Sequence, residues 1–178
     1  MKNYRQASNT DLVPFSSIKG LPRVQNRIGE MSLKFHIAFQ TKVAASRFRA
    51  SFYDLSLKMR GAKTKGDEEV RRAALSAFSL GLDEIRREHG LESHDAMVRD
   101  LQPFDNPPCS YWVDAIDRGC PALFDGYYQL DTFVMAVTHA RDTSLITGEQ
   151  AKALIFRADG LFENLKKGYS SLRTSTRK

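Results

Sequence analysis

The segment Leu33-Lys34-Phe35-His36-Ile37-Ala38-Phe39-Gln40 determines how the rest of the chain is interpreted. Apolar residues alternate there with mostly polar ones, which is the two-residue period of a β-strand that buries one face. We predict a core-facing side made of Leu33, Phe35, Ile37 and Phe39, and an outward side made of Lys34, His36, Ala38 and Gln40. No other segment of the sequence alternates as cleanly.

Two helical segments follow this strand. Thr41 is a suitable N-cap, and apolar residues then recur at steps of three and four over residues 45–59. A basic turn that contains glycine, residues 60–66, interrupts the pattern. The second helix is predicted to have the acidic residues 67–69 in its first turn and to end at Gly90.

A strand without a neighbour leaves backbone donors and acceptors unpaired, and each buried unpaired group costs about 1–3 kcal/mol. We therefore expect this strand to pair with the same strand of a second copy, antiparallel about a two-fold axis. One strand paired across a homodimer and followed by two helices is the ribbon-helix-helix arrangement. In that arrangement a two-stranded ribbon enters the major groove of DNA.

The remainder of the chain predicts further helices. These run from Ser93 to Leu101, from Pro121 to about Ala140, and from a capping box formed by Thr147 and Gln150 to Leu165. Residues 104–120 are mostly loop, with room for a short extended piece over 111–116. The predicted fold class is mainly α, a ribbon-helix-helix unit with a C-terminal all-helical extension. Its regions are a flexible basic arm (1–30), a DNA-binding and dimerisation region (31–90), the helical extension (91–166) and a basic tail (167–178).

Charge is unevenly distributed along the sequence. Residues 31–66 contain eight Lys and Arg residues against one acid, whereas residues 67–165 contain nine basic and eighteen acidic residues. A basic segment on an otherwise acidic body is the pattern expected of a protein that meets a polyanion with one face. Double-stranded DNA is therefore the predicted partner. A basic face that only aids solubility, on an ordinary α+β core, is the alternative.

The predicted contacts divide into two groups. Lysine can donate to guanine, glutamine can form two hydrogen bonds with adenine, and alanine can touch the thymine methyl group. The residues predicted to contact bases are Lys34, His36, Ala38 and Gln40. Those predicted to contact phosphates, which position the protein without specifying sequence, are Lys42, Arg47, Arg49, Lys63, Thr64 and Lys65.

The chain also resembles the AcaB-type regulators encoded on conjugative plasmids and integrating conjugative elements. The resemblance covers about residues 31–166 and is carried by Phe104-Asp105-Asn106-Pro107, Leu130-Asp131-Thr132-Phe133-Val134, Thr138-His139-Ala140-Arg141, Leu145-Ile146 and the last helix, residues 151–165. The chain departs from the family pattern at Asp142 to Ser144. The resemblance implies a homodimeric transcriptional regulator that activates conjugative transfer genes, with RNA polymerase as a further partner of the extension.

Other functional classes find little support in the sequence. The two cysteines, Cys109 and Cys120, have no histidine at an informative spacing, and His89 and His94 lie on either side of a glycine. We expect no enzymatic activity, no catalytic residues, no metal and no cofactor. No apolar run is long enough to span a membrane, so a cytoplasmic location is expected. Two alternatives stay open: a relaxosome accessory DNA-binding protein, and a helical protein-protein adaptor that does not bind DNA.

Overall fold

The computed structural model describes residues 18–19, 33–61, 64–92, 109–115 and 120–171. These residues form four helices and one two-stranded sheet, so the described fold is mainly α as predicted. In chain order the elements are β1 (Leu33–Phe39), α1 (Lys42–Gly61), α2 (Lys65–Glu88), β2 (Cys109–Ala115), α3 (Cys120–Asp142) and α4 (Gly148–Ser170). The predicted helix from Ser93 to Leu101 lies outside the described residues.

The strand β1 pairs with β2 of the same chain. The two strands are antiparallel, with Phe35 opposite Val113, Ile37 opposite Tyr111 and Phe39 opposite Cys109. The premise that β1 has no partner in its own chain is therefore wrong, and backbone pairing alone no longer requires a second copy. The pairing forms because Tyr111 and Val113 are almost completely buried on the core side of the sheet, next to Ile37 and Phe39.

Local capping signals fix where the helices begin. Thr64 and Asp67 form a capping box, so α2 begins at Lys65, two residues before the predicted acidic turn. The capping box of Thr147 and Gln150 is confirmed at the beginning of α4. Beyond the end of α2, Gly90 has a φ of 63°, in the left-handed region that glycine adopts without strain.

The four helices and the sheet bury one continuous core. Phe48 and Phe52 of α1 stack with ring centroids 4.7 Å apart, and Phe52 also stacks on Phe124 of α3 at 5.3 Å. Tyr127 of α3 contacts both Phe48 and Phe162 of α4. The predicted DNA-binding region and the predicted helical extension therefore share their hydrophobic interior.

The helices α2 and α4 pack unusually closely. A Cβ atom on Gly168 would lie 2.7 Å from the Cβ of Ala74, and one on Gly81 would lie 2.8 Å from a methyl carbon of Leu161. Both distances are shorter than van der Waals contact. Glycine is required at position 168, where the Cβ of Ala74 cannot move away, whereas the end of the Leu161 side chain could shift to admit a Cβ at position 81. Within the described part of the chain, none of the helices is both long and apolar enough to cross a membrane.

Candidate nucleic-acid interface

The outward side of the sheet contains the residues predicted to contact bases. His36 is exposed, while Ala38 and Gln40 are half-buried. Lys34 is two residues before His36 and therefore belongs to the same side of β1 by alternation. In the strand register it is opposite Asp114. On the opposite side, Ile37 and Phe39 are 2% and 1% exposed, and Phe35 is partly buried against Phe124. The two faces of β1 thus differ as the alternation in the sequence indicates.

The exposed side of α1 is basic. Lys42, Arg49, Lys58 and Arg60 are exposed, and Asp54, the single acid of this helix, is half-buried. Three of these cations, Lys42, Arg49 and Lys58, form no salt bridge with any residue in the described ranges. At 3.6 residues per turn, Lys42, Arg49 and Arg60 share one side of α1, which is its basic side, whereas Lys58 is exposed on the opposite side. The helix has no exposed carboxylate.

The helix α1 packs against the sheet. Burial, and then the charge of Cys109, raise the pKa of Tyr111 on β2, and the charge of Arg49 acts in the opposite direction. The ring of Phe48, the residue before Arg49, lies 5.3 Å from the ring of Tyr111, so this part of α1 packs against β2. Lys42 begins α1 three residues after the end of β1. Tyr111 faces the core, so its contact with Phe48 places α1 against the core side of the sheet and not on its outward side. The outward side of the sheet and the basic side of α1 are therefore two separate candidate surfaces for a nucleic acid.

A segment from the predicted flexible arm also contacts α1. The backbone N–H of Lys19 donates a hydrogen bond of 2.9 Å to the carbonyl oxygen of Arg49, and Ile18 is only 1% exposed. The exposed Lys19 therefore lies beside α1. The rest of the predicted arm, residues 1–30, is outside the described residues. Lys19 was not among the predicted contacts. The only sequence signal for it was the net positive charge of the arm.

Two of the predicted phosphate contacts are engaged elsewhere. Arg47 forms salt bridges with Asp159 and Glu163 of α4, and Lys166 bonds to the same Glu163 at 2.8 Å. The hydroxyl of Thr64 donates to the carboxylate of Asp67 at 2.6 Å and accepts from its backbone N–H. Arg47 thus joins α1 to α4, and Thr64 caps α2. Lys65 is exposed, and Lys63 lies outside the described residues.

A buried carboxylate fixes the junction between β1 and α1. Asp131 of α3 is 5% exposed and accepts hydrogen bonds of 2.8 Å from the backbone N–H groups of Gln40 and Thr41. It also accepts one of 2.6 Å from the hydroxyl of Thr41, which in turn accepts from the N–H of Ala44. The pKa of Asp131 is raised because desolvation outweighs these hydrogen bonds. Asp131 belongs to a segment that carries the family resemblance, but its role at this junction was not predicted, although a carboxylate among Tyr127, Leu130 and Val134 was a detectable signal.

The described residues contain no group of three potential metal ligands. Cys109 and Cys120 are free thiols, and Cys120 is buried with its sulfur 3.8 Å from the hydroxyl oxygen of Ser56. Both cysteines therefore stand at positions suited to a structural role. The expectations that the protein is not an enzyme and takes no metal stay predictions.

Comparison of the chain with protein-family models, with curated proteins and with solved structures finds no match.

Proposed function

We propose that the protein is a sequence-specific double-stranded DNA-binding transcriptional regulator, which uses the basic side of α1 to contact phosphates and the outward side of the sheet to contact bases. The observation that carries this proposal is that Lys42, Arg49, Lys58 and Arg60 are exposed together on one helix, with no exposed acid on that helix. The resemblance to AcaB-type regulators supplies the biological setting, activation of conjugative transfer genes.

Free cations are what phosphate binding requires. A cation that is already paired must lose its carboxylate before it can neutralise a phosphate, whereas Lys42, Arg49 and Lys58 need only shed water and counterions. Phosphate contacts supply affinity and orientation. Sequence preference would come from Lys34, His36, Ala38 and Gln40, because a two-stranded antiparallel ribbon fits a major groove about 12 Å wide.

A homodimer and RNA polymerase are the further partners within this proposal. The homodimer is inferred from the resemblance and no longer from the need of β1 for a pairing partner, since β2 occupies one of its edges. Two copies would double the number of phosphates neutralised and would match a two-fold symmetric DNA site. The helices that follow β2 would offer the surface for polymerase. A relaxosome accessory protein would use the same contacts at a transfer origin.

The test is a salt titration of DNA binding with two triple variants. Replacing Lys42, Arg49 and Lys58 by alanine should weaken binding to cognate and random duplexes alike and lower the slope of log K against log salt by about 1.8, at about 0.9 for each phosphate met by Lys42 and Arg49, which share one side of the helix. The control replaces Arg72, Lys152 and Arg157, which lose the same charge but form salt bridges with carboxylates of the chain. Equal changes in the two variants, or no binding by the natural protein at low salt, would contradict the proposal.

The helical adaptor without DNA binding is favoured by a different observation. Phe156 of α4 is 79% exposed and Leu80 of α2 is 66% exposed, so large apolar side chains face solvent on two helices other than α1. The same titration separates the two functions, because an adaptor predicts a flat response of duplex binding to salt.

A further inference from the structure

A surface cavity of about 430 Å³, widely open to solvent, lies between α2 and α3. Ser79, Asp83 and Arg86 line it from α2, and Asp125, Tyr128 and Gln129 line it from α3. Asp83, Asp125 and Tyr128 in its lining are exposed, so it would cover only part of a small molecule. The lining is polar, and neither the predicted DNA contacts nor the core involve this space.

The polar groups of the cavity are held in place by their neighbours. The hydroxyl of Ser79 donates to Gln129 at 2.6 Å. Arg86 is 8% exposed, its guanidinium lies 5.6 Å from the ring centroid of Phe133, and it forms a salt bridge of 2.7 Å with Asp83. These contacts create a wall with fixed donors and acceptors before any ligand arrives, which lowers the entropy lost on binding.

The electrostatic character of the cavity is negative. The charge of Arg86 is balanced by Asp83, while Asp125 forms no salt bridge within the described ranges. Burial, and then the carboxylates of Asp131 and Asp125, raise the pKa of Tyr128, so its hydroxyl stays protonated at neutral pH. A carboxylate without a cation, next to hydroxyl and amide groups, attracts a positively charged ligand that also hydrogen-bonds.

One residue connects the cavity to the β1–α1 junction. The ring of Tyr128 lies 5.7 Å from that of Phe39, the last residue of β1. Asp131, which holds the backbone of Gln40 and Thr41, belongs to the same turn of α3 as Tyr128. A ligand that fixes Tyr128 would therefore also restrain the end of β1 and the beginning of α1.

We infer that this cavity binds a small hydroxylated organic amine, with its ammonium group at Asp125 and its hydroxyl groups at Ser79, Gln129 and Tyr128, and that binding stabilises the β1–α1 junction. The inference goes beyond DNA binding and does not depend on it. It gives the protein a ligand-sensitive element next to the residues that the proposed function uses.

The first experiment measures binding to the full-length protein by calorimetry, with glucosamine and glucose as probes. These two sugars differ by an ammonium group in place of one hydroxyl. We expect glucosamine to bind more tightly, and Asp125→Asn to weaken its binding about tenfold, the loss of about 1.4 kcal/mol. The control Asp142→Asn removes an exposed carboxylate at the end of the same helix and should leave binding unchanged. Equal binding of the two sugars, or an unchanged affinity in Asp125→Asn, would overturn the inference.

The second experiment measures hydrogen exchange at the backbone amides of Gln40 and Thr41, which donate to Asp131. Glucosamine should slow both amides several-fold, whereas glucose should not. In Tyr128→Phe the ring that contacts Phe39 is retained while the hydroxyl is lost, so any remaining glucosamine binding should still slow exchange. Binding of glucosamine without slower exchange at the junction would refute the coupling to β1 and α1.

Discussion

The helices α1 and α2 are both amphipathic, but they differ in the charged residues that they carry and in how these residues are paired. On α2, Arg72 pairs with Glu68, Arg86 pairs with Asp83, and Glu88 pairs with Arg157 of α4. On α1, Lys42, Arg49 and Lys58 have no carboxylate partner in the described part of the chain. The helix α2 carries five basic and six acidic residues, so its charges nearly cancel, whereas α1 carries five basic residues and one acidic residue and keeps an excess of positive charge.

The two helices also differ in how they are held. The N-terminus of α1 is fixed from the interior by Asp131, and its middle is fixed through Arg47 to Asp159 and Glu163. The helix α2 caps itself with Thr64 and packs against α4 through Ala74 and two glycines. Polar contacts thus position α1, while close backbone approach positions α2.

The largest expected effect comes from removing the contacts by which Asp131 holds the N-terminus of α1. Asp131→Ala removes the acceptor of two backbone N–H groups and one hydroxyl, and should lower the free energy of unfolding by about 2–4 kcal/mol. Urea denaturation measures the loss. Asp131→Asn keeps one acceptor oxygen and should be affected less. A variant Asp131→Ala as stable as the natural protein would show that the junction is held by other contacts.

The close approach of α2 and α4 is tested by two substitutions on the same helix. Gly168→Ala places a methyl group against Ala74, whose Cβ cannot move away, at a cost of about 1–3 kcal/mol. The gain in helix propensity of about 1 kcal/mol offsets part of that cost. Gly160→Ala has open space around its Cβ and receives the gain alone. Thermal unfolding should therefore shift downward for Gly168→Ala and upward for Gly160→Ala, and equal shifts would contradict the packing.

Two carboxylates that hold α1 should respond oppositely to acid. The hydrogen bond and charge of Lys166, with the charges of Arg47 and Lys167, lower the pKa of Glu163. Its contribution to stability is present above the unfolded pKa and is lost as pH falls through the folded value. Asp131 has a raised pKa, so the folded state takes up its proton first and this group favours folding as pH falls toward its unfolded value.

Urea denaturation at a series of pH values checks this contrast. With falling pH, the stability advantage of the natural protein over Glu163→Gln should shrink, whereas its stability relative to Asp131→Asn should improve. The same sign for both variants would show that the environments of the two carboxylates do not differ as described.

The smallest expected changes in the free energy of unfolding are those of two surface arginines, Arg72 and Arg49, of which only Arg49 should also affect DNA binding. Arg72→Ala removes an exposed pair and should change the free energy of unfolding by about 0.3–0.5 kcal/mol. Arg49→Ala loses no salt bridge and should fall within about 0.5 kcal/mol of the natural protein, as is usual for surface positions. Its duplex binding should nevertheless weaken on every sequence, as measured by fluorescence anisotropy. A stability loss in Arg49→Ala larger than that in Arg72→Ala would indicate a structural role for Arg49.

The periodic elements were predictable from the sequence. Strand β1 and the helices α1, α3 and α4 occur where alternation or steps of three and four predicted them, since these patterns reflect burial directly. Strand β2 was not recognised as the partner of β1. It follows two prolines, and Trp112 stands at a position where a polar residue would have completed the alternation.

The candidate site was predictable only in part. Exposure of Lys42, Arg49 and Lys65 agrees with their predicted placement, because they fall off the apolar stripes. The engagement of Arg47 by Asp159 was not visible, because it joins residues 112 positions apart in the chain. The role of Asp131 was hidden for the same reason, since its partners Gln40 and Thr41 are 91 and 90 positions away in the chain.

The burial of Ile18 bears on how the protein can be shortened. This side chain occupies the hydrophobic core, and the neighbouring Lys19 is bonded to the middle of α1. A variant that lacks residues 1–20 would have an unfilled apolar cavity next to α1, and water or another chain would enter it. Trimmed versions that start at β1 should therefore be harder to keep monodisperse, even though their strands and helices are all intact.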